Sequence, residues 1–171
     1  MADEVFDDIV VLSKEMDFSS FDCGNADFND FIKNEALDDF RNDLSVTYIG
    51  LIKGRPVAFV SLVAAAYRTE FLKKNIHGVH KYRQVPAIKI ARIATDTPFQ
   101  RHGCGEALVQ YSVAVGFMVK AFIGCKLILT DALPDKIKWY ERQGFMLALR
   151  PGPGIDRENY PMFAVLSEPS R

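Results

Sequence analysis

The six residues Gln100-Arg101-His102-Gly103-Cys104-Gly105 stand between a β-branched stretch and a long apolar helical pattern, with two glycines where that helix starts. The first turn of a helix exposes up to four unpaired backbone N–H groups and carries roughly half a positive charge. Such a start can bind a pyrophosphate, and glycines let the phosphates approach the backbone with no Cβ in the way. The spacing is not that of a P-loop, because G-x-x-x-x-G-K-[ST] is absent, nor G-x-G-x-x-G, because the third residue after Gly105 is Leu108. A helix start lowers a thiol pKa, yet Cys104 reads as a tolerated loop residue rather than a nucleophile. His77 and His80 are three apart, a spacing that can ligate metal, but no third ligand converges on them. They read as solvated loop residues, and no metal is expected.

The elements that must position this loop can be read around it. Ile9 to Leu12 is a short first strand. Asn25 can cap a helix whose apolar residues Phe28, Phe31, Ile32, Ala36 and Phe40 recur at helical spacing, with acids on the other face. Strands are expected over Ser45 to Ile52 and Val57 to Leu62, joined by a hairpin connection at Lys53-Gly54-Arg55-Pro56. From Tyr67 to Gln84 the pattern is irregular and basic, with Phe71 and Leu72 at the start of a short helix. Ala87 to Thr95 reads as the strand leading into the glycine loop, and Glu106 to Phe122 as a helix apolar nearly all round, with Met118 in the core. Lys126 to Thr130 is a further strand. Pro134 suits the start and Gly144 the end of a helix of about three turns. Phe145 to Leu149 and Met162 to Leu166 complete the strands, joined through Arg150-Pro151-Gly152-Pro153-Gly154. The order β-α-β-β-(loop)-β-α-β-α-β-β describes one α/β domain with a mixed sheet.

The chain has 171 residues, 49% hydrophobic and 25% charged, which fits one globular domain and excludes a disordered or collagenous chain. A net charge of −1 conceals a split: residues 1 to 50 hold 13 Asp and Glu against 3 Lys and Arg, while residues 51 to 171 hold 9 against 18. A basic surface attracts phosphates over a Debye length of about 8 Å at physiological salt, so a phosphate-bearing partner is expected. The three cysteines, Cys23, Cys104 and Cys125, lie far apart and form no C-x-x-C pair. That count argues for the cytoplasm and against a disulfide framework. The acidic amino terminus is unlike a signal peptide and no apolar run is long enough to span a bilayer, so no membrane association is expected.

Gln100, Gly103 and Gly105 together fit the pattern Q/R-x-x-G-x-G/A. At this point the chain resembles the GNAT acyltransferase superfamily, whose motif follows the fourth strand and cradles the pyrophosphate of coenzyme A. Pro86-Ala87-Ile88-Lys89-Ile90-Ala91-Arg92-Ile93-Ala94 resembles the strand before it, and Trp139-Tyr140-Glu141-Arg142-Gln143-Gly144-Phe145 resembles the family's F-Y-E-K-x-G-F segment. Phe21-Asp22-Cys23-Gly24 through Thr47-Tyr48 is similar to the front of a toxin-like GNAT subgroup.

The resemblance implies a single GNAT-like domain over residues 1–171, α/β (α+β) in class, with a mixed, mostly antiparallel sheet flanked by helices and splayed at its central strands. It implies acetyl-CoA as cosubstrate, with Ile93, Ala94 and Thr95 offering backbone groups to the pantetheine arm and Gln100, Arg101, His102, Gly103, Cys104 and Gly105 holding the pyrophosphate. Tyr140 is implied as the acid that protonates the departing thiolate, a role its hydroxyl can fill because a phenol of pKa about 10 keeps its proton at pH 7. Where relatives often carry an asparagine before the tyrosine-bearing helix, this chain has Asp131-Ala132-Leu133-Pro134, and Asp131 is expected in its place. No carboxylate on the strand Ala87 to Thr95 offers itself as a base, and Lys89 and Arg92 are poor bases while charged. The expected reaction is direct attack of a primary amine on the acetyl carbonyl. The acceptor is open: an unspecified amine, the amino group of an aminoacyl-tRNA as in the toxin-like subgroup, or none in a silent acyl-CoA-binding module. Coenzyme A, an amine-bearing acceptor, tRNA and a second copy of the chain in a homodimer are the candidate partners.

Overall fold

The computed structural model describes residues 5–72, 76–79, 81–148 and 158–167. In chain order the elements are β1 (Asp8–Val11), α1 (Ala26–Asp30), a π turn (Phe31–Glu35), α2 (Ala36–Arg41), β2 (Val46–Ile52), β3 (Arg55–Arg68) and β4 (Gln84–Thr95). They continue with α3 (Cys104–Phe122), β5 (Leu127–Ala132), α4 (Ile137–Arg142), β6 (Met146–Leu147) and β7 (Tyr160–Val165). The strands follow the order β1-β2-β3-β4-β5-β7-β6. β1 with β2, β2 with β3, β5 with β7 and β6 with β7 are antiparallel, while β4 and β5 are parallel. A parallel pair needs a crossover, and α3 supplies it. The fold is the expected mixed, mostly antiparallel α/β sheet. Among the described residues no helix is long and apolar enough to cross a membrane.

The described residues cluster into two compact units, one within Met1–Val63 and Ala91–Ser112, the other within Ala64–Ile90 and Val113–Arg171. In the first, Phe21, Phe31, Ile32, Ala36, Ile49 and Phe59 form a core that joins α1, the π turn and α2 to β2 and β3. In the second, Val85, Ala87, Leu127, Leu129, Ala148 and Phe163 form another.

Local chemistry explains several boundaries. Asn25 caps α1 as its type predicts, its side chain accepting from the Phe28 N–H at 3.1 Å. The hairpin is tighter than expected. Ile52 pairs with Arg55, and Lys53 (φ 51°) and Gly54 (φ 72°) are both left-handed, as a two-residue type I′ turn requires.

Other expectations need correction. The helix after Asn25 is not continuous: the π turn inserts a residue and rotates the apolar stripe, so Phe40, expected inside, is 38% exposed and Leu37 packs instead. β3 runs on to Arg68 instead of stopping at Leu62, with Val63, Ala65 and Tyr67 turned partly inward and Ala64, Ala66 and Arg68 outward. Period-two alternation built from alanine carries little β signal, so the strand escaped a propensity reading. Met118, read as core, is 55% exposed, and Phe122 is 88% exposed. The helix after Pro134 opens with a 3₁₀ turn and only Ile137–Arg142 is α-helical, while β6 is two residues long. Lys73, Lys74, His80 and the loop Arg150 to Gly154 lie outside the described residues.

Candidate active site

In the first unit, the end of β4 is tied down before the glycine loop begins. Asp96, 1% exposed, donates its N–H to the Val57 carbonyl at 2.8 Å. Its carboxylate accepts from the Asp22 N–H at 3.0 Å and from Arg55 Nη2 at 2.7 Å. Thr97 donates both its N–H (2.8 Å) and its hydroxyl (2.6 Å) to the Asp22 carbonyl. Asp22 is itself organised: its Oδ1 accepts from the Gly24 N–H at 2.9 Å and from Asn29 Nδ2 at 2.8 Å. These bonds, the Gly24 one foremost, hold its carboxyl below the usual range. Gln100 Nε2 donates to the carbonyls of Thr95 (2.9 Å) and Cys23 (3.0 Å). The glutamine of the motif therefore shapes the loop from within, binding the strand end to the Asp22–Gly24 turn. None of the partners Asp22, Asn29, Arg55 and Asp96 was picked out from the sequence, because they lie up to 74 residues apart and converge only through β3 and β4.

The loop then turns through two left-handed residues, Arg101 (φ 64°) and Gly103 (φ 84°). The side chains of Arg101 and His102 are exposed. The first intrahelical bond runs from the Ala107 N–H to the Gly103 carbonyl at 3.0 Å. The N–H groups of Cys104 and Gly105 precede it at the helix start. Cys104 is 2% exposed, and burial, with Glu106 nearby, pushes its thiol pKa up. The residue packs as a neutral thiol, so the lowering expected at a helix start does not prevail. Ile93, Ala94 and Thr95 are all half-buried at the end of β4.

The second unit holds Tyr140 on α4. Its ring is 5% exposed and packs edge-on against Trp139 (centroids 4.8 Å apart) and Phe145 (5.4 Å). Burial pushes the phenol pKa up, and a hydrogen bond with the Thr130 side chain opposes the shift in part. Thr130, itself buried on β5, is a partner that the sequence did not reveal. On the neighbouring positions Asp131 Oδ2 receives Lys89 Nζ at 2.5 Å. The carboxylate expected to replace the family's asparagine is thus engaged by a lysine of β4.

A strand whose end is braced by a buried aspartate, a left-handed glycine turn and the start of a long helix together form an arrangement that can hold a phosphate. A sequence model of the acetyltransferase (GNAT) family matches residues 12–145, which spans α1 to α4 and the glycine loop. The chain belongs to the GNAT family. As a GNAT member it is an acetyl-CoA-dependent acyltransferase. One relative is a tRNA-acetylating toxin from Mycobacterium tuberculosis, 27% identical over 131 residues that cover 74% of this chain and 76% of that protein. Two solved structures share the fold. AtaT complexed with acetyl-methionyl-tRNAfMet gives a TM-score of 0.78 at 22% identity, covering 92% of this chain and 94% of the other. A tyrosine-to-phenylalanine mutant of KacT gives 0.80 at 20% identity over 93% and 94%. The GNAT motif at Gln100, Gly103 and Gly105 is the part of this site that local sequence carried.

Proposed function

We propose that this chain works as one GNAT domain over residues 1–171 and transfers the acetyl group of acetyl-CoA to the amino group of an aminoacyl-tRNA. The observation that carries the choice of acceptor is the tRNA-acetylating relative, similar over three quarters of both chains. The N–H groups at the start of α3 and the glycine turn fit the pyrophosphate of the cosubstrate, because no side chain of Gly103 or Gly105 stands over the backbone. In this reading Arg101 and His102 flank the phosphates, while Gln100 and Cys104 hold the loop's shape. Ile93, Ala94 and Thr95 offer strand backbone groups to the pantetheine amides, and one N–H polarises the acetyl carbonyl. Asp131, paired with Lys89, contributes through that pair.

The amine nitrogen attacks the carbonyl carbon, the C–S bond breaks, and the sulfur takes the phenolic proton of Tyr140. The amine's surplus proton leaves to water, and Tyr140 is reprotonated from solvent. A buried phenol with a raised pKa keeps that proton throughout the neutral range, and its bond with Thr130 fixes the ring's hydroxyl.

Labelled acetyl-CoA offered with charged tRNAs, uncharged tRNAs, polyamines and peptides tests the proposal. Label is expected on the amino group of charged tRNA and absent from uncharged tRNA. Acetylation of a polyamine or peptide with charged tRNA untouched would replace the acceptor, and cosubstrate binding without turnover on any amine would leave a silent binding module.

A further inference from the structure

The basic stretch from Tyr67 to Gln84, which neither the glycine loop nor Tyr140 accounts for, is anchored within the second unit. Thr69 donates its N–H to the Arg83 carbonyl at 3.0 Å and its hydroxyl to the Tyr82 carbonyl at 2.7 Å. Further in, the Val79 N–H bonds the Ile76 carbonyl at 3.3 Å and the Tyr82 N–H bonds the Val79 carbonyl at 3.0 Å, with Gly78 left-handed at φ 85°. Ile76 and Val79 are buried in the core that holds Val85, Ala87 and Leu127. Lys126 is drawn to the same place, because its N–H bonds the Pro86 carbonyl at 2.8 Å.

These contacts leave an open hollow of about 320 Å³, floored by the buried Val79 and Val85 and rimmed by His77, Tyr82, Gln84 and Lys126. Its size suits a small ligand, and no carboxylate lines it. Arg68 meets Glu70, but among the described residues Lys81, Arg83 and Lys126 form no ion pair. The Tyr82 ring is 54% exposed, and Lys81 Nζ lies 5.3 Å from its centroid. An exposed ring among cations is the kind of surface on which an unpaired nucleobase stacks while its phosphate meets the charge. The Gln84 carboxamide offers both a donor and an acceptor to the edge of such a base. An acidic peptide would use the cations and leave the ring and the amide idle. Lys126 stands just before β5, four residues ahead of Thr130, the partner of Tyr140. At about 3.3 Å per strand residue that is ~13 Å, a reach that a few unpaired nucleotides cover.

We propose that this hollow seats an unpaired nucleotide of the acceptor RNA, its base on the Tyr82 ring with an edge toward the Gln84 carboxamide and its phosphate at Lys126. The proposal rests on the aminoacyl-tRNA reading above, since only an acceptor that continues as a polynucleotide can fill the hollow while its amine meets the acetyl group. Anchoring there adds affinity for RNA without touching the reacting atoms.

The test compares KM values for charged tRNA, for acetyl-CoA and for 3′-aminoacylamino-3′-deoxyadenosine, an acceptor too short to reach the hollow. Tyr82→Ala and Lys126→Gln are each expected to raise the KM for charged tRNA about tenfold, the size of a lost base stack or charge-assisted contact, with kcat and the other two KM values unmoved. Tyr82→Trp keeps a ring and should stay near wild type. A ring that merely packs would lower the melting temperature and act on all three substrates alike; that result would overturn the proposal, as would a tRNA KM unchanged in both variants. Binding is also read without turnover, from the fluorescence anisotropy of a labelled single-stranded oligoribonucleotide ending in CCA, which Tyr82→Ala should bind about tenfold more weakly than wild type. If charged tRNA is not acetylated and this difference persists, the hollow stays a nucleotide site and the aminoacyl-tRNA acceptor is discarded. Equal binding of the oligonucleotide by the two proteins overturns the site whatever the acceptor. Poly-glutamate bound as tightly as the oligonucleotide, with no response to Tyr82→Ala, would make the hollow a surface for acidic protein and overturn it too.

Discussion

Tyr140 and Asp96 are both almost wholly buried polar residues, and their surroundings assign them opposite tasks. Tyr140 meets one hydroxyl and two aromatic rings, an environment that resists charge and keeps the proton on oxygen. Tyr140→Phe should lower kcat about 100-fold or more at saturating substrates, the scale of lost general-acid catalysis. It leaves the Thr130 hydroxyl without its partner, at a cost of about 1 kcal/mol, so the melting temperature should fall only ~2–4 °C. Steady-state kinetics beside a melting curve separates the two, and a kcat within twofold of wild type would end the acid role. The sign of the pH dependence follows from the raised pKa. The folded chain keeps the phenolic proton where the unfolded chain loses it, so this group's contribution is intact below pH ~10 and declines as pH rises through the folded value. Melting curves between pH 8 and 11 should show that decline in the wild type and a smaller one in Tyr140→Phe. Asp96, 2% exposed at its side chain, instead keeps a cation, Arg55, which is 48% exposed. Arg55→Ala strands the buried carboxylate, and a loss of about 2 kcal/mol is expected, less than for a fully buried pair because water reaches the arginine. Chemical denaturation measures it.

At the scale of elements, the β4–loop–α3 segment shows what local sequence can carry. Its strand is β-branched, its turn needs left-handed residues and its helix is long and apolar, so every signal is contiguous. Gly103→Ala places a side chain at φ 84°, where the nearest atom, Val5 Cγ2, is a comfortable 3.5 Å away. The penalty is therefore backbone strain of ~1–2 kcal/mol, not a clash. The KM for acetyl-CoA should rise in Gly103→Ala. In Gly54→Ala, strained alike at the β2–β3 turn, stability should fall by a similar amount with that KM unchanged. If both variants shifted the KM equally, the loop geometry would not be what holds the cosubstrate. What local sequence hid was non-local. The π turn at Phe31–Glu35 follows from how the α1–α2 segment packs on β2 and β3, and it turned Phe40 outward against a regular helical pattern. The alanines of β3 gave no propensity signal. Met118 and Phe122 have the types of core residues on a helix whose buried face is narrower than its apolar composition. The Asp22–Asn29–Asp96–Arg55 brace and the Thr130–Tyr140 bond join residues 7 to 74 positions apart, where spacing on one element has nothing to say.

For the molecule as a whole, the question is what the basic two thirds of the chain serves. A ligand that binds only the folded chain stabilises it by about 2.7 kcal/mol at a hundred times its Kd, which for 171 residues is a rise of ~5–10 °C in melting temperature. Acetyl-CoA should produce that rise, and no rise at saturation would contradict binding at the cradle. Coenzyme A is one small polyanion, however, and several of the bases are already engaged: Arg55, Arg68, Lys89 and Lys136 meet carboxylates, and Lys120 donates to the Leu166 carbonyl at 2.8 Å. A polyanionic acceptor adds a signature that a small amine cannot, because each phosphate neutralised releases condensed counterions. For charged tRNA, log(kcat/KM) should fall linearly with log[salt], with a slope of ~0.7–0.9 per phosphate contacted. An aminoacyl nucleoside that carries no phosphate should show almost no slope under the same conditions. Parallel lines for the two acceptors would mean that the charge serves coenzyme A alone.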